Sequence, residues 1–267
     1  MKFRKIIFPF IIILNLNIYS QKIFNENRNR KFSDTLNIEL LHKVCNNLKI
    51  PFSDVYTYKS HSLNFKTDKT FFVLQYIIKK ESDGNLYTTK YLFAENLNGK
   101  IIDQIDSKES FYDNEAIQPS PSYILENTMK LSSSVVGIGI ISEESVRSCA
   151  TLYSEQKFSI VSLLNNKIIN LLDNYIIRKT QGESNCSGNH EIEILEKSLN
   201  ITENLTKELF NISVTKTFTY ENIVEENSDE KIKGKEIIKS KTETGILTFN
   251  GKNYNFEKDE KLRFLKW

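Results

Sequence analysis

One short string recurs three times in this chain and limits how it can fold. Leu97-Asn98-Gly99-Lys100 precedes Ile101-Ile102-Asp103, and Leu164-Asn165-Asn166-Lys167 precedes Ile168-Ile169-Asn170. Phe249-Asn250-Gly251-Lys252, leading into Asn253-Tyr254-Asn255-Phe256, is a looser third copy. Asn-Gly and Asn-Asn pairs readily take positive φ at both central positions of a type I′ turn, whose twist suits a tight hairpin. A β-rich run stands before each copy, at residues 91–95, 158–163 and 246–249. The spacing therefore predicts three β-hairpins, which is a statement about architecture and not about chemistry.

The surrounding sequence extends each hairpin into a larger unit. Residues 70–78 (TFFVLQYII) form a continuous apolar run, which predicts a central strand covered on both faces. The 82–85 turn leads back into residues 87–95, and Asn98-Gly99 turns the chain again, giving a three-stranded meander. Residues 111–127, Ser-rich and carrying Pro119 and Pro121, read as a connection. A second unit starts with a strand at 131–142 and enters the Asn165-Asn166 turn. The third holds a strand at 192–201. There Phe210, Ile212, Val214, Phe218 and Tyr220 alternate with Asn211, Ser213, Thr215, Thr217 and Thr219, so one face is buried and one is wet. Residues 221–235 are a charged excursion expected to be a solvated loop. The turns recur 67 and then 85 residues apart, too far and too unequally for a standard solenoid. The expected fold is all-β and mainly antiparallel: repeated three-stranded meanders packed as stacked sheets or propeller-like blades, with one N-terminal helix. Three units leave a propeller ring short, which favours stacked sheets.

The helix is expected at residues 33–50. Ser33 or Asp34 can cap it, and Leu36, Leu40, Leu41, Val44, Cys45 and Leu48 recur at helical spacing down to Pro51. An isolated helix of that length is marginal in water, so its apolar stripe is expected to dock on the sheets.

Residues 1–20 read as a signal peptide: Lys2, Arg4 and Lys5, then an apolar run from 6 to 16, then Ser20 before Gln21 as the cleavage point. The run is short for a membrane span, which needs roughly 20 apolar residues. No Cys stands at the cleavage point to take a lipid. The Tyr-Ser-Gln junction, in a chain rich in Asn, Lys and Ile, resembles exported proteins of the Bacteroidetes, a resemblance confined to leader and composition. It implies the periplasm or the exterior. Residues 21–32 are polar and expected to be flexible, and 33–267 to be a single β-rich domain.

Charge narrows the partners. The leader holds three of the 36 basic residues and none of the 34 acidic ones, which leaves the other 247 residues at −1. A near-neutral chain with interspersed signs lacks the basic excess of a nucleic-acid binder, and gives no electrostatic case for an acidic membrane surface. The partner classes left are an envelope protein or a glycan, with no stable membrane insertion after leader removal.

Candidate chemistry is sparse. Gly137-Ile138-Gly139 begins a dinucleotide fingerprint, but position 142 is Ser and the context is β-like, so a bulge, or a backbone approached by a large ring, is the better reading. His42 lies beside the apolar stripe of the helix and His61 in a turn. The run from Cys186 to Glu191 brings a thiol, His190 and a carboxylate together, without the further ligands zinc needs or the electropositive setting a thiolate needs. Glu143-Glu144 and Asp259-Glu260 are adjacent acids, which on a strand point to opposite faces. No Gly-x-Ser-x-Gly, His-Glu-x-x-His or P-loop string occurs. The Asn-x-Ser/Thr triplets at Asn185, Asn200, Asn204 and Asn211 matter only in a eukaryotic host. No catalytic residue, cofactor or metal ligand is assigned.

The function that remains is an exported, non-catalytic binding or structural domain of the bacterial cell envelope. The rival is a secreted hydrolase acting on polysaccharide or peptide through carboxylates converging in a cleft. A membrane barrel is disfavoured because 70–78 does not alternate. Of the three cysteines, Cys45 falls on the helix stripe and is expected to be buried. Cys149 and Cys186 sit in polar loops at the two ends of the second hairpin, where a meander can return both to one place. The predicted disulfide is Cys149–Cys186.

Overall fold

The computed structural model describes residues 21–24, 31–33, 35–82, 84–112, 117–119, 122–146, 148–225 and 234–256. The leader (1–20), the Asp34 cap, residues 226–233 of the 221–235 excursion and the Asp259-Glu260 pair lie outside them, and residues 221–224, expected in a solvated loop, are strand. The fold is mainly antiparallel β with one α-helix among the described residues.

The smaller sheet is a four-stranded meander of β2 (His61–Lys66), β3 (Lys69–Glu81), β4 (Gly84–Glu95) and β5 (Ile101–Tyr112), in that order. The larger has ten strands among the described residues. Its spine runs β9 (Val136–Val146), β10 (Thr151–Leu164), β11 (Lys167–Ser184), β12 (His190–Thr206), β13 (Leu209–Val224) and β14 (Lys235–Leu247), each antiparallel to the next. On the other edge of β9 lie the short strands β6 (Ile117–Pro119), β7 (Tyr123–Ile124) and β8 (Met129–Lys130). The first strand, β1 (Gln21–Phe24), pairs with β12 at residues 199–201, beyond the stretch that β11 occupies. Those four residues were expected in a flexible segment. They are held by a sheet edge left open where β11 parts from β12 at Glu196. The strands thus divide into two sheets, and the expected second and third units are one continuous meander.

The helix α1 (Ile38–Leu48) is shorter than its expected span. Asn37 caps it, its Oδ1 accepting the Leu40 N–H at 3.0 Å. Ser33 is used elsewhere, donating to the Ser62 carbonyl at 2.8 Å. Lys49 ends the helix in the left-handed region, φ 58°, and the Ile50 N–H returns to the Cys45 carbonyl. Leu40, Leu41, Val44 and Cys45 pack on Phe72, Leu74, Leu92 and Ala94 of the smaller sheet. Its opposite face sets Phe71, Val73 and Phe93 against Ile124, Ile138, Ile140 and Val161 of the larger sheet. β3 is therefore the doubly covered central strand that its apolar run requires. Ile124, in the stretch expected to be mere connection, is fully buried.

The far face of the larger sheet bends round its own core, which holds Phe158, Ile160, Leu172, Ile177, Leu199, Ile212 and Tyr254. Main-chain bonds close the bend: Phe210 N–H to the Leu131 carbonyl and Tyr254 N–H to the Leu171 carbonyl, both 2.8 Å. Gly137 and Gly139 face this core. A Cβ on Gly139 would stand 2.8 Å from the Phe158 ring and 2.6 Å from Leu125, so these glycines serve packing.

The three turn strings differ in detail. Asn165 and Asn166 have φ of 52° and 59° between the paired Leu164 and Lys167, the two-residue type I′ turn expected. The two Asn-Gly copies do not form that turn. Their glycines alone have positive φ, 69° at Gly99 and 103° at Gly251. Their asparagines act through the side chain: Asn98 Oδ1 accepts the Lys100 N–H, and Asn250 Oδ1 those of Lys252 and Asn253. This local bond supports wider loops and removes the need for positive φ at Asn.

Candidate functional site: a polar cleft between the sheets

The apolar contact between the sheets does not run their full length. Along β3, Phe71 and Val73 face the larger sheet, and the next residue on that face is Gln75. β4 follows in register, with Phe93 opposite Phe71, Tyr91 opposite Val73 and Thr89 opposite Gln75. The facing wall changes in step. On β9, Ile138 and Ile140 give way to Ser142 and Glu144, and on β10 Val161 gives way to Ser159, Lys157 and Glu155. Where both walls turn polar, the sheets enclose a cleft of about 510 Å³, within the usual range for small-ligand sites. Tyr91, Ile105, Phe111 and Phe256 contribute its apolar lining.

Glu144, Glu155 and Asp173 line the cleft from the larger sheet, and Asp106 lines it from β5, its carboxylate paired with Lys90. Glu144 and Glu155 are direct cross-strand neighbours. Two like charges so placed repel, and Lys157 resolves this, with Nζ 3.2 Å from Glu144 and 3.6 Å from Glu155. Lys179 adds a second cation 3.3 Å from Glu155. The Tyr153 hydroxyl donates to Glu144 at 3.3 Å. Burial, reinforced by Glu155 and Glu144, raises the Tyr153 phenol far above its ordinary value, which keeps it a donor. Glu143 turns to the other face and accepts from Gln156, as alternation demands. Further along, a bulge with Asn174 at φ 54° brings Asn170 and Asp173 to the same cleft.

Among the described residues, two acceptors in the cleft lack a hydrogen-bond partner. Gln75 is 2% exposed and its Oε1 is buried with no donor in reach. Asn170 donates through Nδ2 to Asp173 at 2.9 Å, which fixes the amide orientation and leaves its buried Oδ1 unmet. A buried polar atom without a partner costs about 1–3 kcal/mol. Both residues line the cleft, where water or a bound molecule is the partner such atoms call for.

The sequence-stretch candidates are dispersed. His42 stacks on Phe52 with ring centres 3.8 Å apart. His190 binds the Gly188 carbonyl and stands 3.8 Å from Glu221. Cys149 and Cys186 are bonded, with Cα atoms 5.2 Å apart, so Cys186 offers His190 no thiol. Cys45 is buried, and burial pushes its thiol up to about 11. Among the described residues no group of three or more His, Cys, Asp or Glu is placed to hold a metal ion, and no helix is long and apolar enough to cross a membrane.

Sequence reasoning passes over Gln75, Lys157, Asn170 and Asp173. One signal was present: Gln75 is the amide inside an otherwise apolar run that must be buried on both faces. No protein-family model matches the chain, and neither a curated protein nor a solved structure matches it.

Proposed function

We propose that the chain is an exported, non-catalytic β-rich domain of the bacterial cell envelope, and that it binds an envelope component in the inter-sheet cleft. The observation that carries this reading is Gln75, a buried amide on the β3 wall of the cleft whose carbonyl meets no donor among the described residues. The Cys149–Cys186 bond fits an oxidising compartment and agrees with the leader read from residues 1–20.

The hydrolase reading has one observation in its favour, since Glu144, Glu155 and Asp173 line one cleft with aromatic rings. Their placement favours binding instead. Glycoside cleavage sets its two carboxyls on either side of the scissile bond, whereas these three share one wall, and the acid on the other wall, Asp106, is tied to Lys90. Lys157 and Lys179 already hold two of them as ion pairs.

The test is sedimentation with cell envelopes prepared from the native bacterium. Wild-type protein is expected to co-sediment, and Ser142→Trp, which puts an indole into the cleft, to stay in the supernatant. Co-sedimentation of both proteins, or of neither, overturns the cleft as the binding site. Steady release of sugar or peptide by the wild type, absent in Glu155→Gln, establishes the hydrolase instead.

A further inference from the structure

We infer that the ligand of the cleft is a neutral, polyhydroxylated one: a sugar unit of a glycan, bound through its hydroxyl groups. The inference rests on the cleft being a binding site and adds the chemical class.

The unmet groups define half of the argument. Gln75 Oε1 and Asn170 Oδ1 are both carbonyl oxygens, so the ligand must supply hydrogen-bond donors. They lie on opposite walls, one on β3 and one on β11, so a single ligand has to donate in two directions. A sugar ring does so, because its hydroxyls project around its rim. Each hydroxyl also accepts, which suits Lys157 and the hydroxyls of Thr89 and Ser142 beside it.

Charge supplies the other half. Glu144 and Glu155 are matched by Lys157 and Lys179. Asp173 holds the Asn170 amide, and Lys252 stands at the cleft margin. An anionic ligand would meet Glu144, Glu155 and Asp173 on one wall and Asp106 on the other. A cationic one would have to displace lysines from their acids, at the cost of leaving buried charges unpaired. A neutral ligand disturbs none of these pairs. The rings of Tyr91 and Phe111 offer flat apolar surfaces to the C–H faces of a sugar.

The experiment is isothermal titration of the mature protein with neutral oligosaccharides (dextran, mannan and chitin fragments of two to six units), alongside an anionic muropeptide and an uncharged tripeptide. Gln75→Leu is the decisive variant. It keeps the approximate shape and deletes an acceptor with no protein partner, so its unfolding midpoint is expected to equal or exceed that of the wild type. At least one neutral oligosaccharide is expected to bind the wild type, and at least ten-fold more weakly to Gln75→Leu. Sugar binding unchanged in Gln75→Leu overturns the inference by placing the ligand elsewhere. Binding of the muropeptide or tripeptide alone, lost in Gln75→Leu, overturns the sugar class while the cleft stands as a site. No binding of any probe, together with failed envelope sedimentation, removes both readings.

Discussion

Gly99 and Lys43 stand so close that a Cβ added to the glycine would lie 2.6 Å from the lysine Cβ and 2.9 Å from the backbone N of Val44. The first turn string is therefore a seat for α1 as well as a reversal between β4 and β5. Lys43 Nζ donates to the Leu97 carbonyl, and Asn47 Nδ2 to that of Asn98 at 3.2 Å. Gly99→Val must take a φ near 69° and also push the helix away. The conformational part alone costs about 1–2 kcal/mol, and the clash with helix backbone adds to it. The urea midpoint is expected to fall by more than that conformational share predicts. Gly251→Val also meets positive φ, but its nearest neighbour is the flexible end of Lys207 at 3.1 Å, so its loss is expected to be the smaller of the two.

The Cys149–Cys186 bond closes a loop with a sequence separation of 37. The chain-entropy model gives about 4 kcal/mol for such a loop. A Cys149→Ser, Cys186→Ser double variant is expected to lose most of that in denaturant titration, and the wild type to match it once reduced. Cys45, with its thiol near 11, is expected to stay unlabelled by a thiol reagent at pH 8 until the protein unfolds.

Lys157 bridges two carboxylates that stand side by side across a ladder. Lys157→Met leaves Glu144 without its cation, and the loss is expected to be about 1–2 kcal/mol, below that for a fully buried pair because Lys157 and Glu144 are part-exposed and Lys179 still faces Glu155. Combining it with Glu144→Gln is expected to restore part of the loss. A double-mutant cycle in urea measures the coupling directly.

Asp103 ties the two sheets together, accepting the Ile168 N–H at 2.8 Å and the Lys167 ammonium at 3.3 Å. Burial alone would raise its carboxyl, but those two donors outweigh burial and hold it below its ordinary value. A lowered folded value means that the contribution is fully present above the unfolded pKa, about 3.9. It is lost as pH falls through the folded value. Asp103→Asn keeps an acceptor for Ile168 but loses the charge. It is expected to be less stable than wild type at pH 7, with the gap narrowing below about pH 4.

How much of this could be read beforehand depended on whether a feature is local. The doubly buried β3 follows from its own apolar run, and the Asn165-Asn166 turn from its own two residues. The cysteine pairing followed from meander order. The helix cap was misplaced because Ser33, Asp34 and Asn37 all suit the role, and only the contact of Ser33 with Ser62 decides among them. The Asn-Gly turns were misjudged because Asn has two uses in a turn, positive φ or a side-chain acceptor, and the letters do not choose. The cleft was illegible for a different reason. Gln75, Lys157 and Asn170 come from three strands in two sheets, and no sequence interval joins them.

The larger sheet also says something about how the chain can come together. From β9 to β14 each spine strand lies beside the one made just before it, so hairpins can add one at a time with short loops to close. Among the described residues its long closures include β1 onto β12, Phe210 onto Leu131 and Tyr254 onto Leu171. Each joins segments far apart in sequence, so each carries a larger loop-closure cost than the hairpins do. Assembly from one end to the other also leaves β14 as the growing edge. There Lys235, Glu236, Lys239, Lys241 and Glu243 present a row of charges to any strand, from this or another chain, that would continue the pattern.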